Sequence, residues 1–127
     1  MATIRIMEES EATGRVKEIF DEIKAVLQLP FVPEIFRALG SHPGQLEAVW
    51  AQVKGLYGPG SLDVRTKSLV ALAVAAVERN AYFVKIHAII CKRLGASDEQ
   101  IAELLEMASL STALNTLVSG LGLEPEL

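Results

Sequence analysis

Apolar side chains recur along this chain at helical spacing, and no stretch shows the alternation of a half-buried strand. Val16, Ile19, Phe20, Ile23 and Leu27 fall on one stripe. They predict a first helix from about Glu11 to Gln28, ended by Leu29-Pro30, because the residue before a proline is pushed out of the helical region. Pro33 can open a short helix to Leu39, where a first-turn N–H would lack an intrahelical partner anyway, and Gly40 suits the exit. Ser41-His42-Pro43 starts another helix, with Leu46, Val49, Trp50, Val53 and Leu56 on its stripe and Tyr57-Gly-Pro-Gly60 closing it. His42 reads as a turn and capping residue there, and Trp50 as core. Ser61 or Asp63 caps the next helix, Val64 to Glu78, which is apolar nearly all round and is therefore expected to be central.

The second half continues the pattern. Asn80 can cap a helix carrying Phe83, Val84, Ile86, His87, Ile90, Cys91 and Leu94, terminated by Gly95. Ser97-Asp-Glu-Gln100 is a capping-box signature for a helix through Ala108. A last helix, from about Ser109 to Ser119, is rich in small and apolar residues. The prediction is an all-α bundle of about six helices forming a single domain over residues 1–127.

Composition narrows the partners. Half of the 127 residues are apolar, and the mean hydropathy of +0.32 is high for a soluble monomer, so part of the apolar surface is expected to lie between subunits. Twelve Lys and Arg against sixteen Asp and Glu give a net charge of -4, with no basic block to follow a phosphate backbone, which argues against nucleic acid. The longest apolar run, Leu69–Val77, falls far short of the roughly 20 residues that cross a bilayer. Glu8 and Glu9 stand where a signal peptide would place apolar residues, so no membrane partner and a cytosolic location are expected. One cysteine, Cys91, gives no intrachain disulfide and no cysteine-based metal cluster, and it fits a reducing compartment. With two histidines, His42 and His87, far apart in sequence, metal-ligand spacing is absent.

Several segments together carry a family resemblance. Ala12-Thr-Gly-Arg-Val16, Leu29-Pro-Phe-Val-Pro33, Phe36-Arg-Ala-Leu39, His42-Pro43 with Leu46 and Trp50, Leu62-Asp-Val-Arg-Thr-Lys67, Val70-Ala-Leu-Ala-Val74, Tyr82, His87 and Leu94-Gly-Ala-Ser-Asp-Glu-Gln-Ile101 resemble, in order and spacing, the alkyl hydroperoxidase D and carboxymuconolactone decarboxylase superfamily. The resemblance implies the helical fold of that superfamily and suggests a trimer or hexamer; with the apolar composition, the expectation is a homo-oligomer, whether dimer, trimer or hexamer. Redox members carry Cys-x-x-Cys followed, after three intervening residues, by His; the stretch Glu78 to His87 resembles that motif with Asn80 and Phe83 at the two cysteine positions. The position of the proton-relaying glutamate falls on Ser68. Only His87, and Tyr82 within the motif, match.

What the resemblance implies is therefore a protein that has lost the disulfide peroxidase chemistry while keeping a small apolar pocket near His87. Tyr82, Ser68, Asn80 and Cys91 are the candidate ligand contacts, a small carboxylate or apolar molecule is the candidate ligand, and no cofactor is called for. Whether the chain is an enzyme stays open. The alternative is a cofactor-independent enzyme on a small carboxylic acid or lactone, with His87 as general acid and Arg79 or Lys85 holding the substrate carboxylate. That alternative resembles the decarboxylases, and the segments Ile19 to Lys24, Pro30 to Val32 and Phe36 to Leu39 also resemble group I 2-haloacid dehalogenases, although no aspartate stands on the central helix pair to activate water. A third reading is a thiol peroxidase through Cys91, one helical turn after His87. Each residue also has an ordinary structural role: His87 as a bonded core histidine, Asn80 as a cap, Tyr82 as a core ring, Cys91 as a small buried hydrophobe, and Glu78 and Arg79 as an exposed charged corner.

Overall fold

The stripe of Val16, Ile19, Phe20, Ile23 and Leu27 is the buried face of α1 (Gly14–Leu27) in the computed structural model, which describes residues 2–126. Five further α-helices follow among the described residues: α2 (Glu34–Ala38), α3 (Pro43–Tyr57), α4 (Val64–Val77), α5 (Ala81–Arg93) and α6 (Asp98–Leu121). No strand forms among them, so the class is all-α as the periodicity predicted. The chain divides into two compact units, Met1–Val64 and Arg65–Leu127.

In the first unit, the five side chains buried from α1 contribute on the order of 10 kcal/mol of gross transfer free energy. The helix starts three residues later than its stripe suggested. Glu9–Glu11 form a 3-10 turn closed by a reciprocal box, in which the Glu11 carboxylate accepts the Glu8 N–H at 3.2 Å. The Glu9 carboxylate accepts the Val32 N–H at 3.0 Å and Lys24 Nζ at 3.1 Å, which pins the loop between α1 and α2. Trp50 is buried against Phe36, edge to face with ring centroids 5.8 Å apart. Its indole donates to Glu22 at 3.0 Å, so the ring is core and its polar edge is satisfied. Leu56, at the end of the α3 stripe, is exposed. His42 does stand at the N-cap of α3, but through its backbone: its side chain makes no capping bond. Gly40 lies under Met7, where a Cβ would come within 2.7 Å of the sulfur.

The second unit is built from α4, α5 and α6. Leu72, Cys91 and Ala96 form its innermost cluster, with Leu69, Val84, Ala88, Ile101 and Leu104 packed around them. The turn from α4 to α5 is a Schellman motif: Asn80 N–H bonds Ala75 O at 2.9 Å and Arg79 N–H bonds Ala76 O at 3.1 Å. Arg79 occupies the left-handed position, φ 58°, that glycine usually fills, whereas Gly95 fills the equivalent position after α5 at φ 95°. Asn80 caps α5 by accepting the Phe83 N–H, and Ser97 with Gln100 forms the predicted capping box.

Two expectations are corrected here. The separate helices expected before and after Ala108 are one continuous α6, since no proline or glycine interrupts Asp98–Ser119 and Thr112 and Thr116 return their hydroxyls to the carbonyls four residues back. Nor is α4 buried all round. Ser68, Leu72 and Ala75 are its buried face, while Val70, Val74 and Val77 are half exposed, because only one side of the helix finds partners within the chain.

Candidate functional site

The α4–α5 hairpin holds four of the five predicted site residues on the helices themselves, Ser68 on α4 and Tyr82, His87 and Cys91 on α5, with Asn80 at the turn. Ser68 is the one buried polar residue of the core, at 0% exposure, and its Oγ has no hydrogen-bond partner among the described residues. His87 is partly buried and its Nδ1 is likewise shielded and unpartnered. A shielded hydroxyl or ring nitrogen without a partner costs roughly 1–3 kcal/mol, so two on adjoining helices are an uncommon arrangement for a purely structural core.

The imidazole stacks on Phe83, centroids 5.3 Å apart and planes 18° from parallel, and Phe83 in turn meets Tyr82 edge to face at 5.1 Å. Phe83 was expected on the apolar stripe and at the second cysteine position of the motif, not as a partner of His87; its spacing of four before His87 was the available signal for the stack. Burial pushes the His87 pKa below its ordinary value, so the ring is neutral at pH 7 and offers one donor and one acceptor.

Cys91 sits one turn on, at 0% exposure in the innermost cluster. Burial raises its thiol pKa, and the nearby Arg65 guanidinium offsets that only in part. Arg65 was not singled out from the sequence, and nothing in local spacing brings α4's first turn near Cys91. No hydrogen bond joins Cys91 to His87 among the described residues, so i,i+4 spacing has not produced a Cys–His couple. Asn80 spends its carbonyl oxygen on the cap of α5. Tyr82 is half buried at the edge of the Phe83 stack.

Arg79 and Lys85, the cations considered for a substrate carboxylate, line an open groove of about 590 Å³ with Val84, Ala88, Ile89 and Lys92. His87 does not line it. Two residues apart on a helix, Lys85 and His87 point about 200° away from each other, so the pairing of that acid with that cation is not formed. No group of three or more His, Cys, Asp or Glu among the described residues is arranged to hold a metal ion. No described helix is long and apolar enough to cross a membrane.

The sequence pattern of the carboxymuconolactone decarboxylase family matches residues 43–122, which span the whole of this hairpin and α6. The chain belongs to that family. Its backbone superimposes on the crystal structure of the alkylhydroperoxidase AhpD core of Rhodospirillum rubrum with a TM-score of 0.90, at 32% identity, covering 99% of this chain and 95% of that one. Among curated relatives, the (R)-2-haloacid dehalogenase of Pseudomonas putida is 30% identical over 111 residues, 83% of this chain and 35% of that protein. An uncharacterized protein of the cox locus of Paracoccus denitrificans is 38% identical over 63 residues, 50% of this chain and 57% of that protein. The chain thus spans about a third to just over half of the length of the curated relatives it matches.

Proposed function

We propose that this member of the carboxymuconolactone decarboxylase family does not run a disulfide peroxidase cycle, and that it holds a small, largely apolar ligand beside Ser68 and His87. The observation that carries the reading is the pair of shielded, unpartnered polar atoms, Ser68 Oγ and His87 Nδ1, on adjoining helices. A ligand bearing a hydroxyl, carbonyl or carboxyl group could satisfy such an atom while its apolar part lies against the Phe83 and Tyr82 rings.

Loss of the redox cycle follows from the thiol inventory of the chain. Attack on a peroxide needs a thiolate, and recovery from the resulting sulfenic acid needs a second thiol. Cys91 is the one cysteine, fully buried with a raised pKa, so it supplies neither an ionised nucleophile nor a resolving partner. A lone buried thiol also fits a reducing cytosol. The reading includes self-association, because Val70, Val74 and Val77 on α4 and the apolar residues of α6 from Met107 onward are half exposed in the single chain.

The test is an NMR titration of both imidazoles, assigned with His42→Ala, with and without a panel of small carboxylates. A His87 resonance whose shift responds to one of them supports the site. A His87 that neither titrates nor responds to any ligand, while His42 behaves normally, sinks it.

A second reading is favoured by the 30% identity to the (R)-2-haloacid dehalogenase. In it the chain is a cofactor-independent enzyme on a small carboxylic acid or lactone, and His87, kept neutral by burial, is the general base or acid. His87→Ala would then abolish turnover of that acid while helical circular dichroism and mass stay unchanged. Unfolding of the variant would mark His87 as structural instead.

A further inference from the structure

The open groove of about 590 Å³ on α5 is separate from Ser68 and His87, neither of which lines it. Val84, Ala88 and Ile89 give it an apolar, partly buried floor, and Arg79, Lys85 and Lys92 stand around that floor. No acidic side chain lines it. A volume of this order is that of a small-molecule site, which is mostly apolar with a few placed polar groups.

The three cations are not equivalent. Lys92 is paired with Asp98 at 3.1 Å, so its end of the groove is close to neutral. Arg79 and Lys85 have no ion pair and no side-chain hydrogen bond among the described residues. Of the twelve Lys and Arg, Arg93 alone shares that condition, so in a chain of net charge -4 two of three free cations fall on one groove. Arg79 is moreover held at φ 58°, a left-handed conformation that a non-glycine residue adopts at a cost, and no acid within the described chain engages its guanidinium. Both free charges stand at the N-terminal end of α5, where the helix dipole adds positive potential. The groove therefore has a direction: unpaired positive charge at one end and an apolar floor leading away from it.

We infer that this groove binds a single-chain aliphatic carboxylate, with the carboxylate between Arg79 and Lys85 and the alkyl chain along Val84, Ala88 and Ile89. The guanidinium fork matches a carboxylate with two parallel hydrogen bonds, and the ammonium adds a second positive charge. Three apolar side chains are too small a patch for a stable protein partner, which needs about 800 Å² on each side. His87 points away from the groove, so the site holds its ligand and performs no proton transfer through that ring.

Calorimetric titration of the full chain with sodium octanoate, kept below its micelle-forming concentration, tests the site. Saturable binding of one octanoate per chain is expected, weakening as salt is added. Arg79→Glu and Lys85→Glu should each lower the affinity about tenfold, since an attraction is exchanged for a repulsion. Lys85→Arg should keep the affinity, as should Arg93→Glu, which reverses a free cation off the groove. All four positions are exposed or replaced conservatively, and unchanged helical circular dichroism confirms that the variants fold. Octanol and acetate, each lacking one half of the ligand, should bind more weakly. Absence of saturable binding, equal affinity for octanol, or unchanged affinity in both glutamate variants overturns the inference. So does attachment to phosphatidylglycerol vesicles in place of free octanoate. His87→Ala should bind octanoate normally; binding lost there and kept in both glutamate variants would put the ligand at the Ser68 and His87 site, overturning the groove while supporting the function proposed above.

Discussion

Replacing Ser68 by alanine should stabilise the protein. The hydroxyl sits at 0% exposure with no partner among the described residues, so the folded state carries its full desolvation cost, roughly 1–3 kcal/mol. Alanine removes that cost and gains about 0.5 kcal/mol in helix propensity within α4. Against this stands the void left by one oxygen, about 0.5 kcal/mol at the usual cost per unit of cavity volume. The net expectation is a gain of about 1–3 kcal/mol, or roughly 4–12 °C in Tm for a chain of this size.

The assay is thermal unfolding followed by circular dichroism, with all proteins at one concentration because association would otherwise shift the midpoint. Ser109→Ala, at an exposed site on α6, reports the propensity contribution alone. If Ser68→Ala lowers Tm by about 2 °C or more, the hydroxyl has a partner in the protein and the reasoning from an orphan donor fails. The same pair of proteins also separates structure from function. A ligand that bonds Ser68 must raise the Tm of the unaltered protein more than that of the alanine variant, so stability and binding should move in opposite directions at this one position.

Three further outcomes are expected. His87 has a folded pKa depressed by burial, so the unfolded chain protonates first: stability is whole above the ordinary value near 6.5, declines as pH falls from there toward the folded pKa, and levels beneath it. Denaturant titrations across that window should be flatter for His87→Gln, and parallel pH dependences would refute the buried neutral ring. Cys91, with its thiol pKa pushed above 9.0, is less than about 1% ionised at pH 7. It should therefore react with an aromatic disulfide at least about 100-fold more slowly in buffer than in urea, and hydroperoxide loss with a dithiol should match background; fast native labelling or turnover abolished by Cys91→Ser contradicts this. Arg79→Gly should raise the unfolding free energy by up to about 1 kcal/mol, since glycine relieves a left-handed residue at φ 58°, and a loss in chemical denaturation would show that the arginine side chain has a role of its own.

The helices of this chain were legible because their signals are local. The α1 stripe, the Asn80 cap and the Ser97–Gln100 box each involve residues within one or two turns, and each forms as read. The misreading of α4 has a cause of the opposite kind. Whether Val70, Val74 and Val77 are covered depends on what other segments reach them, and an apolar residue looks the same in sequence whether its partner is in its own chain or another. The break expected at Ala108–Ser109 failed because no proline or glycine stands there to stop the helix, and the hydroxyls of Thr112 and Thr116 are satisfied on carbonyls four residues back without breaking it. At the site, His87 and Ser68 were found through position, but that both would be shielded and unpartnered could not be read, since burial is a property of the assembled hairpin.

The changes in the hairpin are mutually consistent in physical terms. In a redox site of the kind the motif resembles, a carboxylate and an imidazole move a proton off a thiol, which requires charge to be tolerated in that interior. Here the corresponding interior holds a hydroxyl, an aromatic ring stacked on a neutral imidazole, and a thiol driven toward its protonated form by burial. Each favours the uncharged state of its neighbours, because none supplies a counter-charge that would offset desolvation. Restoring one element alone, for example Ser68→Glu, would bury a carboxylate near a thiol that burial keeps protonated, with no second thiol in the chain to complete a redox cycle. In the function proposed above, the hairpin would receive a neutral or singly polar molecule, with His87 serving as a hydrogen-bonding group before it serves as a proton carrier.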